Sequence, residues 1–158
     1  MGLDLYIYKV NKSVEPTWEN INYDNENCEE IAYARKAWEV CNFFGAANAK
    51  NQMVKITIDS WAEFVDKLAP IGIYLEEIWD AYYKYEHTPV DFPEEVLTKR
   101  EKQLIATYEL WYDENWDDWP MLGYFFSVGY MLEFWNKAEE IFSLLEGDEY
   151  DVYMLASF

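Results

Sequence analysis

The sequence predicts a single α+β domain in which a small, mostly antiparallel sheet is packed by about five helices. Three observations lead there. Apolar and polar residues alternate at both ends of the chain and again near residue 55, as in half-buried strands. Between these stretches, apolar residues recur every three or four positions, as on amphipathic helices. No internal repeat or low-complexity linker divides the 158 residues, a length that suits one domain and can bury a real core.

Leu3, Leu5 and Ile7 alternate with Asp4, Tyr6 and Tyr8, which gives a first strand. Residues 11–27 are polar, with Pro16 and several Asn, and read as a loop. A helix is expected over about residues 29–44, where Ile31, Ala34, Trp38 and Cys41 fall on one face. Asn27 with Glu30 suits its start, and Gly45 its stop. Val54, Ile56 and Ile58 alternate with Lys55 and Thr57, a second strand. Ser60 followed by Glu63 reads as a capping box opening a short helix. Trp61, Phe64, Val65 and Leu68 form its inward stripe, and Pro70 lies beyond its end.

A third helix is expected over 73–86, with Leu75, Ile78, Trp79 and Tyr82 inward. Pro93, followed by Glu94 and Glu95, suits the start of a helix running to about residue 112. That helix buries Leu97, Leu104, Tyr108 and Trp111. Residues 113–123 are turn-like, and 124–128 read as a short strand. Helical spacing returns over 130–146, with Leu132, Trp135, Phe142 and Leu145 on one face. Gly147 and Asp148 turn the chain into a final strand over 150–156.

The charge is far from balanced. There are 31 Asp and Glu against 12 Lys and Arg, a net charge of −19, yet 20% of the residues are aromatic. A disordered acidic tail lacks such aromatics, so this is a folded domain that tolerates self-repulsion. Residues 101–158 alone hold thirteen acids and two bases, which makes the C-terminal third the expected electrostatic working surface. Such a surface repels nucleic acid and anionic membranes and attracts basic partners. Eight Trp and fourteen Tyr exceed the needs of one core, so some rings are expected at the surface as interface anchors.

No secretory signal is read at the start of the chain. The longest uncharged run, residues 119–132, is shorter than the roughly 20 residues of a membrane helix. On one helix Cys28 and Cys41 would stand about 20 Å apart. They are read as free thiols in a reducing cytosol, the expected compartment.

Two acidic clusters are the candidate partner-binding residues. The first is Glu109, Asp113, Glu114, Asp117 and Asp118, interleaved with Trp111, Trp116 and Trp119. At a helix end Glu109, Asp113 and Glu114 would share a face. Carboxylates so arranged can imitate a row of phosphates, with Trp rings filling pockets on the partner. The competing reading is a solvated acidic turn with its Trp side chains tucked inward. The second cluster is Glu146, Asp148, Glu149 and Asp151, which either extends the first into one stripe or is merely a charged turn.

Other chemistry is thinly supported. The acids lack the spacing and turn glycine of a calcium loop, and one His with two distant Cys makes a poor zinc set. No cofactor or metal is expected. There is no nucleophile elbow, phosphate loop or dinucleotide fingerprint. Cys41 with His87 is a conceivable pair, but Cys41 reads better as a small core hydrophobe. Arg35 and Lys36 could grip an anionic nucleotide signal, or simply pair with Glu39 or Glu29.

The opening MGLDLYIYKV and the segment YARKAWEVCNFFG resemble a family of small bacteriophage-encoded proteins. Its members begin Met-Gly-Leu-Asp and carry an aromatic-Arg-Lys-Ala helix. The aromatic run over 124–135 is a weaker third match, and the three cover about a quarter of the chain. Cys41 stands where a His is common in that family. The resemblance implies a phage or prophage origin rather than a reaction. With the charge, it leads to the expectation of a non-enzymatic, stoichiometric inhibitor of a host nucleic-acid-binding defence protein with a basic groove. This would be an anti-CRISPR or anti-restriction protein acting as an acidic nucleic-acid mimic, without binding nucleic acid or membrane itself. The alternatives are a protein that sequesters or cleaves a nucleotide immune signal, and a non-inhibitory phage structural or regulatory protein.

Overall fold

The computed structural model describes residues 2–89, 91, 93–116, 120 and 122–158. Along the chain run β1 (Asp4–Asn11), α1 (Trp18–Tyr23), β2 (Cys28–Arg35), α2 (Trp38–Phe43), β3 (Met53–Lys55), α3 (Ile58–Gly72), α4 (Leu75–His87), α5 (Lys99–Asn115), α6 (Tyr124–Asn136), α7 (Ala138–Glu146) and β4 (Tyr150–Ser157). The strands form one antiparallel sheet in the order β2-β1-β4-β3. The α+β class therefore holds, with seven α-helices among the described residues.

Both ends of the chain meet at the sheet centre, where β1 and β4 pair from Asp4↔Ser157 to Asn11↔Tyr150. Leu5, Ile7, Met154 and Ala156 face the main core, which the helices complete. Tyr6, Tyr8, Tyr33 and Tyr153 stand on the other face, outside that core. Val10, Ile21, Cys28 and Leu155 are also buried but outside that core. In the main core Trp61 is fully enclosed, and its indole N–H donates to the Ala138 carbonyl at 3.2 Å, tying α3 to the start of α7.

Several sequence expectations need correcting. The expected helix over 29–44 is the strand β2 followed by the short α2. Its helix-like pattern has a simple cause: a register shift opposite Ile7/Tyr8 leaves Ile31 as an extra residue in β2. Ile31 and Ala34 then both reach the main core, which copies the i, i+3 spacing of a helix. Asn27 caps nothing; its amide donates to Asp24 at 2.9 Å. The expected loop over 11–27 contains α1, capped by Thr17. The second strand stops at Lys55, and Ile58 already belongs to α3.

Helix α3 opens one turn earlier than expected. The capping box is Thr57 with Ser60, whose side chains each bond the other's backbone N–H, and Pro70 lies inside the helix. Pro93 starts a 3-10 turn rather than the long helix, and Thr98 with Glu101 caps α5. The expected strand over 124–128 is the first turn of α6. The expected helix over 130–146 is two helices meeting at Lys137. Tyr130, Met131, Phe134, Ala138 and Ile141 are the buried positions there, while Leu132, Trp135, Phe142 and Leu145 are half-buried.

Candidate functional site: the acidic surface and a neighbouring cleft

Glu109, Asp113 and Glu114 all lie on the last turns of α5, with different surroundings. Glu109 is half-buried, and its Oε1 accepts from the Tyr82 hydroxyl at 3.1 Å. Asp113 accepts from the Tyr124 hydroxyl at 2.8 Å, and Glu114 is exposed. Asp117, Asp118 and Trp119 lie outside the described residues.

Trp116 is not a surface anchor. It is 9% exposed, its ring packs edge-on to Phe43 at 6.1 Å, and the Lys67 ammonium sits 5.2 Å from it. Trp111 is buried as well, with its N–H donating to the Lys67 carbonyl at 2.8 Å. The tucked-inward reading applies to both rings, because they bridge α5 to α3. Exposed rings elsewhere include Trp18 and Tyr23 on α1, Tyr33 on β2 and Tyr83 on α4.

In the second cluster Glu146, Asp148 and Glu149 are exposed around the turn from α7 to β4. Asp151 differs, with its carboxylate 3.4 Å from the Lys55 ammonium. The two clusters are not adjacent along one element; α3 packs against both α5 and α7. The outward face of α3 carries Asp59, Glu63 and Asp66, all exposed and spaced i, i+4, i+7. That stripe escaped the sequence reading, although it is legible as the polar complement of Trp61, Phe64 and Leu68.

Tyrosine hydroxyls, as well as cations, satisfy carboxylates in this protein. Tyr33 donates to Asp4 at 2.7 Å, Tyr82 to Glu109, Tyr124 to Asp113 and Tyr130 to the buried Glu39. Five ion pairs occur among the described residues: Lys9–Glu29, Lys55–Asp151, Lys84–Glu101, Arg100–Glu77 and Lys137–Glu140. A neutral phenol satisfies a carboxylate without cancelling its charge. Burial and the adjacent carboxylate both push the Tyr82 and Tyr130 hydroxyls far up, so they remain donors.

The remaining candidates are dispersed. Cys41 is fully enclosed, and burial pushes its thiol up to about 11, which keeps it protonated at neutral pH. His87 ends α4 in the open, stacked on Tyr83 with ring centroids 4.0 Å apart. Arg35 lines a shallow groove with Trp79, Phe126 and Glu133, whereas Lys36 occupies a left-handed bend (φ 57°) and is not part of that lining. Glu29 pairs with Lys9 rather than with either of them. No group of three or more metal-ligating side chains occurs among the described residues. No helix among them is long and apolar enough to cross a membrane.

Beside the first cluster lies a cleft of about 490 Å³. Tyr82, Tyr85 and Glu86 of α4 line one side, and Lys102, Ile105, Ala106 and Glu109 of α5 the other. Residues 122–125, at the start of α6, close the end. The α5 residues sit at i, i+3, i+4 and i+7, one face of that helix.

No family model matches the chain, and no curated protein or solved structure is significantly similar to it.

Proposed function

We propose that the protein is a stoichiometric inhibitor that presents an acidic surface to the basic groove of a host nucleic-acid-binding defence protein, as a nucleic-acid mimic. The observation that carries this reading is the manner in which its carboxylates are satisfied. Tyrosine hydroxyls hold Asp4, Glu109 and Asp113, so these acids are positioned by partners that carry no opposing charge. The stripe Asp59, Glu63 and Asp66 on α3, between the helices that carry the two clusters, widens the acidic surface. Glu114, Glu146, Asp148 and Glu149 are its solvated ends. Long-range attraction to a basic groove would set the rate of encounter, and buried contacts would set the lifetime of the complex.

The nucleotide-signal alternative is less favoured, because Arg35 shares its groove with Glu133 and Lys36 lies outside it. The test uses purified CRISPR effectors, restriction endonucleases and repair nucleases, each assayed for DNA cleavage with increasing amounts of this protein. Inhibition of one of them at a one-to-one ratio is expected. Its affinity should fall at least about tenfold between about 50 and 200 mM salt. Combining Asp59→Asn, Glu63→Gln and Asp66→Asn should weaken it further. Salt-independent inhibition, or full potency in the triple variant, would rule out the mimic.

A further inference from the structure

The cleft between α4, α5 and the start of α6 has a definite chemical character. Its walls are aromatic, with Tyr82, Tyr85, Tyr124 and Phe125, and the Tyr82 and Phe125 rings lie 6.1 Å apart. Glu109 brings a half-buried carboxylate to this apolar lining. Its Oε1 takes the Tyr82 hydrogen bond, and no donor reaches Oε2 among the described residues. A half-buried carboxylate oxygen beside aromatic rings favours a cationic donor, since desolvation strengthens both the ion pair and the attraction of a cation to ring faces.

Charge selects against other ligands. The lining holds two acids, Glu86 and Glu109, and one base, Lys102. Lys102 is exposed and lies seven residues before Glu109, about 10 Å along the helix. It therefore sits toward the opposite end of the cleft from the carboxylate. An anionic ligand would meet Glu86, Glu109 and the field of a −19 chain. A purely apolar one would cover Oε2 without giving it a partner. The volume of about 490 Å³ suits a small molecule.

We propose that this cleft is a binding site for an organic cation: an ammonium or amidinium group on an aromatic body. The cationic head bonds Glu109 Oε2 and lies against the tyrosine rings, and the body packs on Ile105 and Phe125. The site shares Glu109 with the acids of the inhibitor reading but does not depend on that reading.

The test titrates the intact protein with 2-phenylethylammonium and benzamidinium, with neutral 2-phenylethanol as the control. Binding is read by calorimetry and by NMR shifts of the α4, α5 and α6 amides. Both cations should bind at least about tenfold more tightly than the alcohol, with shifts confined to the cleft. Glu109→Gln should remove most of that advantage. Ala106→Trp, at an exposed position on the lining, should abolish binding while far-UV circular dichroism shows the fold retained. No binding by either cation, equal binding by the alcohol, or full cation affinity in Glu109→Gln would each overturn the proposal.

Discussion

Replacing Tyr130 by Phe should cost this protein far more than the loss of one oxygen atom suggests. Tyr130 on α6 and Glu39 at the start of α2 are each 6% exposed, and the tyrosine hydroxyl donates to Glu39 Oε1. Tyr130→Phe leaves a buried carboxylate short of one donor. Hydrogen bonds to charged groups contribute about 1.5–3 kcal/mol, and an unsatisfied buried acceptor keeps its desolvation cost. We therefore expect a loss of about 2–3 kcal/mol, or a fall in Tm of roughly 4–12 °C for a chain of this length. Glu39→Met strands the phenol hydroxyl instead and should cost about 1–3 kcal/mol. In the double variant both polar groups are gone. It should be more stable than the sum of the single losses by about 2 kcal/mol, the size of coupling seen between contacting residues. Urea unfolding of all four proteins, followed by tryptophan fluorescence at neutral pH, measures the cycle. If the two single losses add in the double variant to within about 0.5 kcal/mol, Tyr130 does not hold Glu39 and the argument fails.

Three further expectations follow from single contacts. Cys41 ionises near 9 when unfolded and about 11 when folded, so between these values the unfolded chain releases a proton that the native state keeps. Stability present below pH 9 should fall as pH rises toward 11, and Cys41→Ala should flatten that fall in urea midpoints measured at successive pH values. Thr57→Ala removes the acceptor for the Ser60 N–H at 3.1 Å and should cost about 1 kcal/mol, read from the same unfolding curves. A Cβ at Gly72 would lie 2.4 Å from the Trp135 indole, so Gly72→Ala should destabilise by about 1–3 kcal/mol despite its better helix propensity, with Trp135→Leu restoring part of the loss.

Where periodicity and packing agreed, local signals located the elements. β1 alternates as far as Tyr8 because one face meets the core and the other carries tyrosines, while Val10 on β1 and Leu155 on β4 are buried on that second face. α4 lies close to where its apolar stripe indicated, α5 keeps its expected stripe but starts only at Lys99, and Gly45 adopts the left-handed conformation (φ 76°) expected just past α2. The misses have identifiable causes. β2 imitates a helix because a bulge shifts its pairing. α6 begins with aromatic residues that favour strands in isolation but here pack against neighbouring helices, as Phe125 does on Trp79 with centroids 4.7 Å apart. Trp116 looked like an anchor because aromatic rings among acids are equally compatible with a surface or a core edge, whereas Trp111 is buried as its place on the apolar stripe of α5 indicated.

By itself, the sequence determined the α+β class, a strand near each end of the chain and the excess of negative charge. These follow from residue type and short-range spacing. Only the tertiary structure decided which carboxylates are held by tyrosines, that β1 pairs with β4, that α3 packs against both α5 and α7, and that Glu109 faces an aromatic cleft. Each of these depends on side chains brought together from distant parts of the chain, and local spacing carries no record of which helix faces meet.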